Sequence, residues 1–243
     1  PYNQNTSDEI IQTLFNTGYF SDISVSNSDD NLTITLSENP YIKYFNVNTK
    51  SSNWSNWLNT EREFLDAAAL DEFIENNELS AGNIYSKLKF SDFISSLKAK
   101  YTAAGFYNVQ IESNVEIDVQ NRAGVELNIN QGKRATINSM TISGATKFTE
   151  KELLDLFTIG EADMMLINYF TNKDHYTDLA LENSIETLNA NYLNSGYLDF
   201  KIIKINSNLT DDKEKINIDI QISEGIQYKL GKVSFHGELG NQS

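Results

Sequence analysis

The chain has 243 residues, with 34 acidic and 19 basic side chains, a formal net charge of −15 and no cysteine. A protein that binds nucleic acid through phosphates needs a basic surface, so this charge excludes a sequence-independent nucleic-acid surface and disfavours anionic lipid as a partner. Because cysteine is absent, disulfides and thiolate sites are excluded as well, while 40% apolar residues are ample for folded domains.

The first residues, taken in chain order, predict one helix and one β-hairpin. A helical spacing of apolar residues ends at Gly18, and alternating segments follow at 19–25 and 32–36. The Asp-Asp-Asn sequence between these two segments favours a turn. We therefore interpret residues 1–42 as the C-terminal half of a repeating unit whose complete copies follow.

Residues 43–134 contain a complete copy of that unit. An opening strand alternates from Tyr41 to Val47, and a helical stripe of apolar residues ends shortly before Gly105. The members of the stripe are Phe90, Ile94, Leu97 and Tyr101. Two further alternating strands complete the copy.

An insertion from about Ser51 to Arg62 separates the opening strand of this copy from its first helix. It holds both tryptophans of the chain, Trp54 and Trp57. Two large aromatic side chains in a polar loop are typical of a partner contact, so this loop is a candidate contact site. The alternative is that both side chains fold back and cover the helix ends of the same copy.

Residues 135–226 contain a second complete copy. Its helical stripe ends before Gly196, about 90 residues after the earlier stripe, and the strand that follows runs from Tyr197 to Leu209. The members of the stripe are Leu181, Ile185, Leu188 and Tyr192. Matching features at a fixed offset predict a tandem array, in which residues 227–243 supply the first strand of a fourth copy.

Each complete copy is predicted to contain, in order, a strand, two helices and two strands. The last two strands form a hairpin, and the opening strand takes the free side of the returning strand. The strand after the helix-exit glycine therefore lies at an edge of the sheet. The predicted fold class is α+β, with a three-stranded mixed sheet covered on one face by two helices.

The two predicted edge strands carry different side chains. In the earlier copy, Glu112, Glu116 and Asp118 lie on the open face, where acidic groups discourage pairing with a stray strand. In the later copy the alternation breaks at Ile202 and Ile203, which predicts a bulge. Beyond the bulge, no acidic residue lies on the open face of this strand.

This later edge is the candidate binding site. An extended polypeptide can add to it through roughly four or five main-chain hydrogen bonds, which predicts a weak affinity, micromolar to millimolar. The alternative is an edge that Lys201 and Lys204 merely keep soluble. The residues of the candidate edge are Phe200, Lys201, Ile202, Ile203, Lys204, Ile205, Asn206, Ser207, Asn208 and Leu209.

No pattern in the sequence indicates catalysis, a metal site or a cofactor. His175 and His236 lie in different copies without carboxylates at metal-ligand spacing, and the paired aspartates lie in turns. The glycines occur singly and form no phosphate-binding loop. We therefore predict a binding protein rather than an enzyme, with no catalytic residue, metal or cofactor.

The recurring motifs resemble those of POTRA domains in the BamA family of outer-membrane β-barrel insertases. The similarity lies in Gly196-Tyr197 at a helix exit, in Glu224-Gly225 at the close of a last strand, and in the segment from Val233 to Gly237. By this resemblance, the chain holds the second half of a first POTRA domain, complete second and third domains, and the opening strand of a fourth.

The resemblance implies a periplasmic location, attachment to the outer membrane through a C-terminal β-barrel outside this segment, and two kinds of partner. These are unfolded outer-membrane proteins and accessory lipoproteins. In the family, the second strand of the third POTRA domain binds a β-propeller lipoprotein and peptide strands, and it corresponds to the candidate edge. Two alternatives stay open: a related translocase of the TamA or two-partner secretion type, and a periplasmic carbohydrate-binding or hydrolytic protein that uses two facing carboxylates.

Overall fold

The structure is a computed structural model that describes residues 4–28, 31–50, 63–160, 174–232 and 234. The chain divides into two compact units, Pro1–Lys133 and Arg134–Ser243. The predicted tryptophan insertion, with Trp54 and Trp57, lies outside the described residues. Within the described residues, no helix has the length and apolar character needed to cross a bilayer.

The first unit begins with one helix and a two-stranded antiparallel sheet. Its elements are α1 (Gln4–Asn16), β1 (Phe20–Ser28) and β2 (Asn31–Glu38). Val25 pairs with Ile34, as the predicted hairpin requires. The apolar side chains of β2 at Leu32, Ile34 and Leu36 are exposed, and among the described residues β2 pairs with β1 only.

A complete copy of the repeat follows in the same unit. The sheet order is β3-β5-β4, with β3 parallel and β4 antiparallel to the central strand. Its elements are β3 (Tyr41–Lys50), α2 (Ala67–Asn76), α3 (Lys87–Ala103), β4 (Gln110–Ile117) and β5 (Arg122–Asn130). Asp66 and Ser86 cap the two helices, each accepting a hydrogen bond from a backbone amide of the first turn.

The helical stripe predicted for α3 faces the sheet and builds the core of this copy. Leu97 and Tyr101 are fully buried, and the strand β5 contributes Val125 and Leu127 to the same core. Burying a side chain of this size stabilises the fold by about 1.5–3 kcal/mol relative to exposure. The spacing of these apolar residues therefore holds α3 against the middle of the sheet.

The second unit repeats the architecture. The sheet order is β6-β8-β7, with β6 parallel and β7 antiparallel to β8. Its elements are β6 (Thr136–Ser143), α4 (Glu150–Leu154), α5 (Asp178–Asn194), β7 (Lys201–Leu209) and β8 (Lys215–Ser223). The capping box of Thr149 and Glu152 begins α4. The α+β fold class and the three-stranded mixed sheets are therefore confirmed.

The segment after β8 folds back on the exit of α5. Residues 226–232 are not in a strand, so the first strand of a fourth copy, predicted within residues 227–243, is not formed over this described part. Instead, the Tyr228 amide donates to the Gly196 carbonyl at 2.8 Å. Gly196 has φ +87°, and an added Cβ would lie 2.6 Å from the Tyr228 carbonyl oxygen, so only glycine fits this exit.

Candidate strand-binding edge

The candidate edge is the outer strand of the second unit. In the order β6-β8-β7, β7 pairs with β8 on one side, and no described residue pairs with its other side. An edge strand of this kind presents unpaired backbone N–H and C=O groups along its free side. The topology predicted from the sequence therefore places residues 201–209 where a further strand can add.

A β-bulge interrupts β7 where the sequence predicts one. Ile202 pairs with Ile222 and Lys204 pairs with Gln221, so Ile203 is the additional residue. A bulge bends the strand and increases its local twist. The break in alternation at this point is therefore confirmed as a bulge.

Beyond the bulge, the side chains of β7 alternate between the two faces of the sheet. Paired residues share a face, and Ile205 and Leu209 pair with Ile220 and Ile216, which are buried beneath the helices. The residues between them lie on the open face, and these are Lys204, Asn206 and Asn208. The predicted phase of the strand is therefore correct.

Two apolar side chains of β7 are accessible to solvent. Ile203 is 56% exposed and Ile205 is 39% exposed, whereas Ile218 and Ile220 of the neighbouring strand are buried. An added strand would cover part of this apolar surface, because its inward side chains would lie beside those of β7. The edge thus offers apolar contact in addition to backbone hydrogen bonds.

Phe200 belongs to the core and precedes the strand. It is 7% exposed, and its ring stacks on that of Tyr192 with centroids 4.2 Å apart and planes 10° apart. Phe200 therefore anchors the start of β7 to α5. The candidate residues that lie within the strand are 201–209.

A buried carboxylate, Glu224, lies at the same end of the sheet, directly after Ser223, which pairs with Lys201 at the start of β7. The Tyr192 hydroxyl donates to Glu224 Oε1 at 2.9 Å, the Lys147 amide donates to it at 3.0 Å, and the Thr146 hydroxyl donates to Oε2. Burial opposes ionisation of Glu224 most strongly, but the hydrogen bonds from Thr146 and Lys147 outweigh it and hold its pKa below the usual value. Burial and the Glu224 carboxylate raise the pKa of Tyr192.

The corresponding site in the first unit uses an amide. Gln131 stands at the close of β5 as Glu224 stands at the close of β8, and its Oε1 accepts from the Phe64 amide at 3.1 Å. Tyr101 takes the place of Tyr192, and burial, followed by the Glu63 carboxylate, raises its pKa to about 12. The sequence contained one sign of these two sites, because a polar residue followed by glycine, Glu-Gly or Gln-Gly, stands at the end of both buried central strands.

The edge strand β4 of the first unit is the natural comparison for β7. Its register with β5 is unbroken, from Gln110 opposite Asn130 to Ile117 opposite Ala123. Its open face carries Glu112, Asn114 and Glu116, and the Asn114 side-chain amide donates to Glu116 Oε1 at 3.2 Å. Once Ile203 is set aside, Lys204 of β7 occupies the position of Glu112, and Asn208 that of Glu116.

The remaining candidates for chemistry do not form a site in the described part of the chain. His175 forms an isolated bridge with Thr136 at the start of β6. Among the described residues, no group of three or more histidine or carboxylate side chains could hold a metal ion. Two cavities of the first unit contain one carboxylate each, Glu78 in one of about 340 Å³ and Glu72 in one of about 220 Å³.

Comparison with known proteins assigns the repeat. Residues 135–225 match the POTRA family, described as a surface antigen variable number repeat. Residues 135–225 form a POTRA domain. This segment comprises β6, β8 and the edge strand β7.

The chain is similar to curated outer-membrane protein assembly factors over nearly its full length. It is 26% identical over 98% of the chain to BamA of Neisseria meningitidis serogroup B, and 25% identical over 94% to BamA of Buchnera aphidicola. The chain spans 28% and 35% of the lengths of these two relatives. The solved structure of Haemophilus influenzae BamA POTRA3-5 covers 89% of the chain at 13% identity, with a TM-score of 0.41.

Proposed function

We propose that this chain is a periplasmic POTRA region of an outer-membrane protein assembly factor, and that it binds extended polypeptide along the free edge of β7. The similarity to BamA proteins over nearly the whole chain supports the class. The free side of β7 beyond its bulge is the single observation that carries the mode of binding. We propose the domain boundaries 1–42, 43–134, 135–226 and 227–243.

The chemistry of an edge strand suits a protein that handles many unfolded clients. Backbone N–H and C=O groups recognise any extended chain, and the accessible Ile203 and Ile205 add apolar contact without demanding one sequence. With a net of about 1 kcal/mol for each hydrogen bond, less the cost of ordering the client, the affinity falls in the micromolar to millimolar range. A client bound this weakly is released readily to the next component.

The same edge fits the second kind of proposed partner. A folded accessory lipoprotein of the β-propeller type can contact an edge strand with a loop or strand of its own. Such a partner and an unfolded outer-membrane protein would compete for residues 201–209. We therefore expect the purified lipoprotein to reduce client binding at this edge in a concentration-dependent way.

Photo-crosslinking in cells tests the location of the site. A photoreactive amino acid at Lys204 or Asn206 of the full-length protein should label nascent outer-membrane proteins, and the same group at Glu112 of β4 is the matched control. Labelling confined to β7 supports the proposal. Equal labelling at all three positions contradicts it.

Proline substitutions test the backbone contacts. Consecutive residues of a strand direct their N–H groups to opposite sides, so of Ile205→Pro and Asn206→Pro one removes a donor from the free side and the other from the ladder with β8. We expect the substitution on the free side to abolish client binding and leave the unit folded by circular dichroism. The matched substitutions Ser113→Pro and Asn114→Pro should leave client binding unchanged. Full binding by both β7 variants would contradict strand addition.

A further inference from the structure

The open face of β7 carries two cations in a strongly acidic chain. Lys201 and Lys204 both lie on this face and are exposed, and neither forms an ion pair with any residue that the structure describes. Their partners across the ladder are Ser223 and Gln221, which are uncharged. The charges of these two lysines are therefore not neutralised within the sheet.

A strand added to the free side of β7 would bring its open-face side chains directly beside these lysines. Opposite charges in adjacent strands stabilise a sheet, and like charges in the same positions destabilise it. We propose that β7 selects extended segments whose acidic residues lie beside Lys201 and Lys204, a preference that rests on the proposed strand-addition function. The occupant is an acidic, extended stretch of an unfolded polypeptide.

The bulge sets the spacing that such a segment needs. On the β8 side, Ile203 is accommodated as an additional residue, so Lys201 and Lys204 pair with Ser223 and Gln221, which are two residues apart. A visiting strand that meets β7 in the same way presents residues i and i+2 to the two lysines. The favoured segment therefore carries an acidic, any, acidic pattern.

The other end of β7 has the opposite preference. Asn206 pairs with Asp219, which accepts a hydrogen bond from the Thr141 hydroxyl at 2.8 Å, and Asp211 and Asp212 follow the strand. An acidic residue placed beside Asn206 or Asn208 would approach these carboxylates. The acidic pair is therefore favoured near residues 201–204 only, which fixes the register of the visiting strand.

The edge strand β4 supplies the opposite case within the same protein. Glu112 and Glu116 occupy the positions of Lys204 and Asn208, so the open face of β4 favours basic residues in an added strand. The two edges therefore differ in the charge of the segment that each accepts. This gives every measurement on β7 an internal control.

Three peptides of about ten residues test the preference against the full chain. They share one β-forming sequence and differ only in the open-face pair, which is Glu-x-Glu, Gln-x-Gln or Lys-x-Lys. Affinities are measured by fluorescence anisotropy, and the bound edge is identified by crosslinking from Asn206 and Asn114. We expect β7 to bind the Glu-x-Glu peptide about three- to tenfold more tightly than the Gln-x-Gln peptide, with the difference shrinking at high salt.

The double variant Lys201→Glu/Lys204→Glu should reverse this order at β7 without changing the fold. We expect the fold to persist because both side chains are exposed and form no ion pair within the described part of the chain, and circular dichroism checks this. Equal affinities for the three peptides, with crosslinking at Asn206 retained, would overturn the charge preference and leave strand addition standing. Failure of all three peptides to crosslink at Asn206 would overturn both.

Discussion

The edge strands β4 and β7 lie at the same position of the same fold, and they differ in length and in the charge of their open faces. β7 contains one additional residue, Ile203, and it carries Lys204 where β4 carries Glu112. Neither change alters the topology, because the central strands β5 and β8 and the buried faces of the helices are alike. Two copies of a repeat can therefore share the same kind of core and still differ in what their exposed edge strands bind.

The largest expected change in stability comes from a cavity in the hydrophobic core beneath β7, with the core beneath β4 left intact. Leu188 of α5 and Leu97 of α3 are fully buried at matching positions. Leu188→Ala should destabilise the second unit by about 2–5 kcal/mol, because a cavity replaces the side chain. Chemical denaturation measures the loss, and crosslinking from Asn206 should fall.

The matched variant Leu97→Ala is the control for this loss. It should destabilise the first unit by a similar amount while crosslinking from Asn206 stays at the level of the unmodified protein. A loss of crosslinking at Asn206 in the Leu97 variant would contradict the assignment of binding to the second unit alone.

The buried carboxylate distinguishes the two units by their response to acid. Glu224→Ala should cost about 1–3 kcal/mol at neutral pH, because it leaves Tyr192 and Thr146 without their acceptor. The folded pKa of Glu224 lies below its usual value of 4.5, so its ionised form stabilises the unit above that pH and the contribution disappears as the pH falls through the folded pKa.

Denaturation curves at several pH values measure this acid response. The variant Glu224→Gln, which reproduces the residue found at Gln131, should fold at neutral pH and lose much of the acid sensitivity of the second unit. An unchanged acid response in this variant would show that another group is responsible.

Single-residue deletions compare how β7, which has a bulge, and β4, which has none, tolerate the loss of one residue. Deleting Ile203 restores strict alternation from Lys201 to Leu209 and removes a side chain that is largely exposed, so it should cost less than about 1 kcal/mol. Deleting Glu112 from the regular strand β4 should cost more, since it moves Ser113 and every later side chain to the opposite face. Thermal unfolding of the two variants compares the costs, and equal losses would contradict the assigned registers.

The smallest effect on stability is expected at the charged position itself. Lys204→Glu gives β7 the side chain of β4, and an exposed substitution without ion pairs should change the free energy of unfolding by less than about 0.5 kcal/mol. We expect client crosslinking from Asn206 to fall nonetheless, because the edge then repels acidic segments. The converse variant, Glu112→Lys, should raise crosslinking from Asn114. If crosslinking changed in neither variant, charge would not explain the difference in binding between β4 and β7.

The sequence allowed the topology and the bulge to be predicted because both follow from local periodicity. The stripe Leu181 to Tyr192 fixes the buried face of α5, and two adjacent apolar residues, Ile202 and Ile203, mark the bulge directly. The exposure of Ile203 and Ile205 could not be predicted in this way. An alternating pattern indicates the face on which a side chain lies and not how much of its area the neighbouring elements cover.

Long-range contacts and isolated segments account for the other differences between prediction and structure. The hydrogen bond of Thr146 to Glu224 joins residues 78 positions apart, so periodicity gives no sign of it. Phe200 is buried, as its alternation with Ile202 predicts, but it lies before the strand instead of within it. Residues 228–232 belong to a segment with a strand pattern, yet no strand of the described ranges pairs with them.

Hydrogen exchange of the β7 backbone amides tests strand addition most directly. Residue-resolved exchange is followed by nuclear magnetic resonance in the full chain, with and without a saturating concentration of the Gln-x-Gln peptide. The predicted result is slower exchange on binding at alternate residues of 201–209, whose N–H groups point to the free side, and unchanged exchange throughout β4. Bound peptide with no added protection in β7, or with equal protection in β4, would contradict the account.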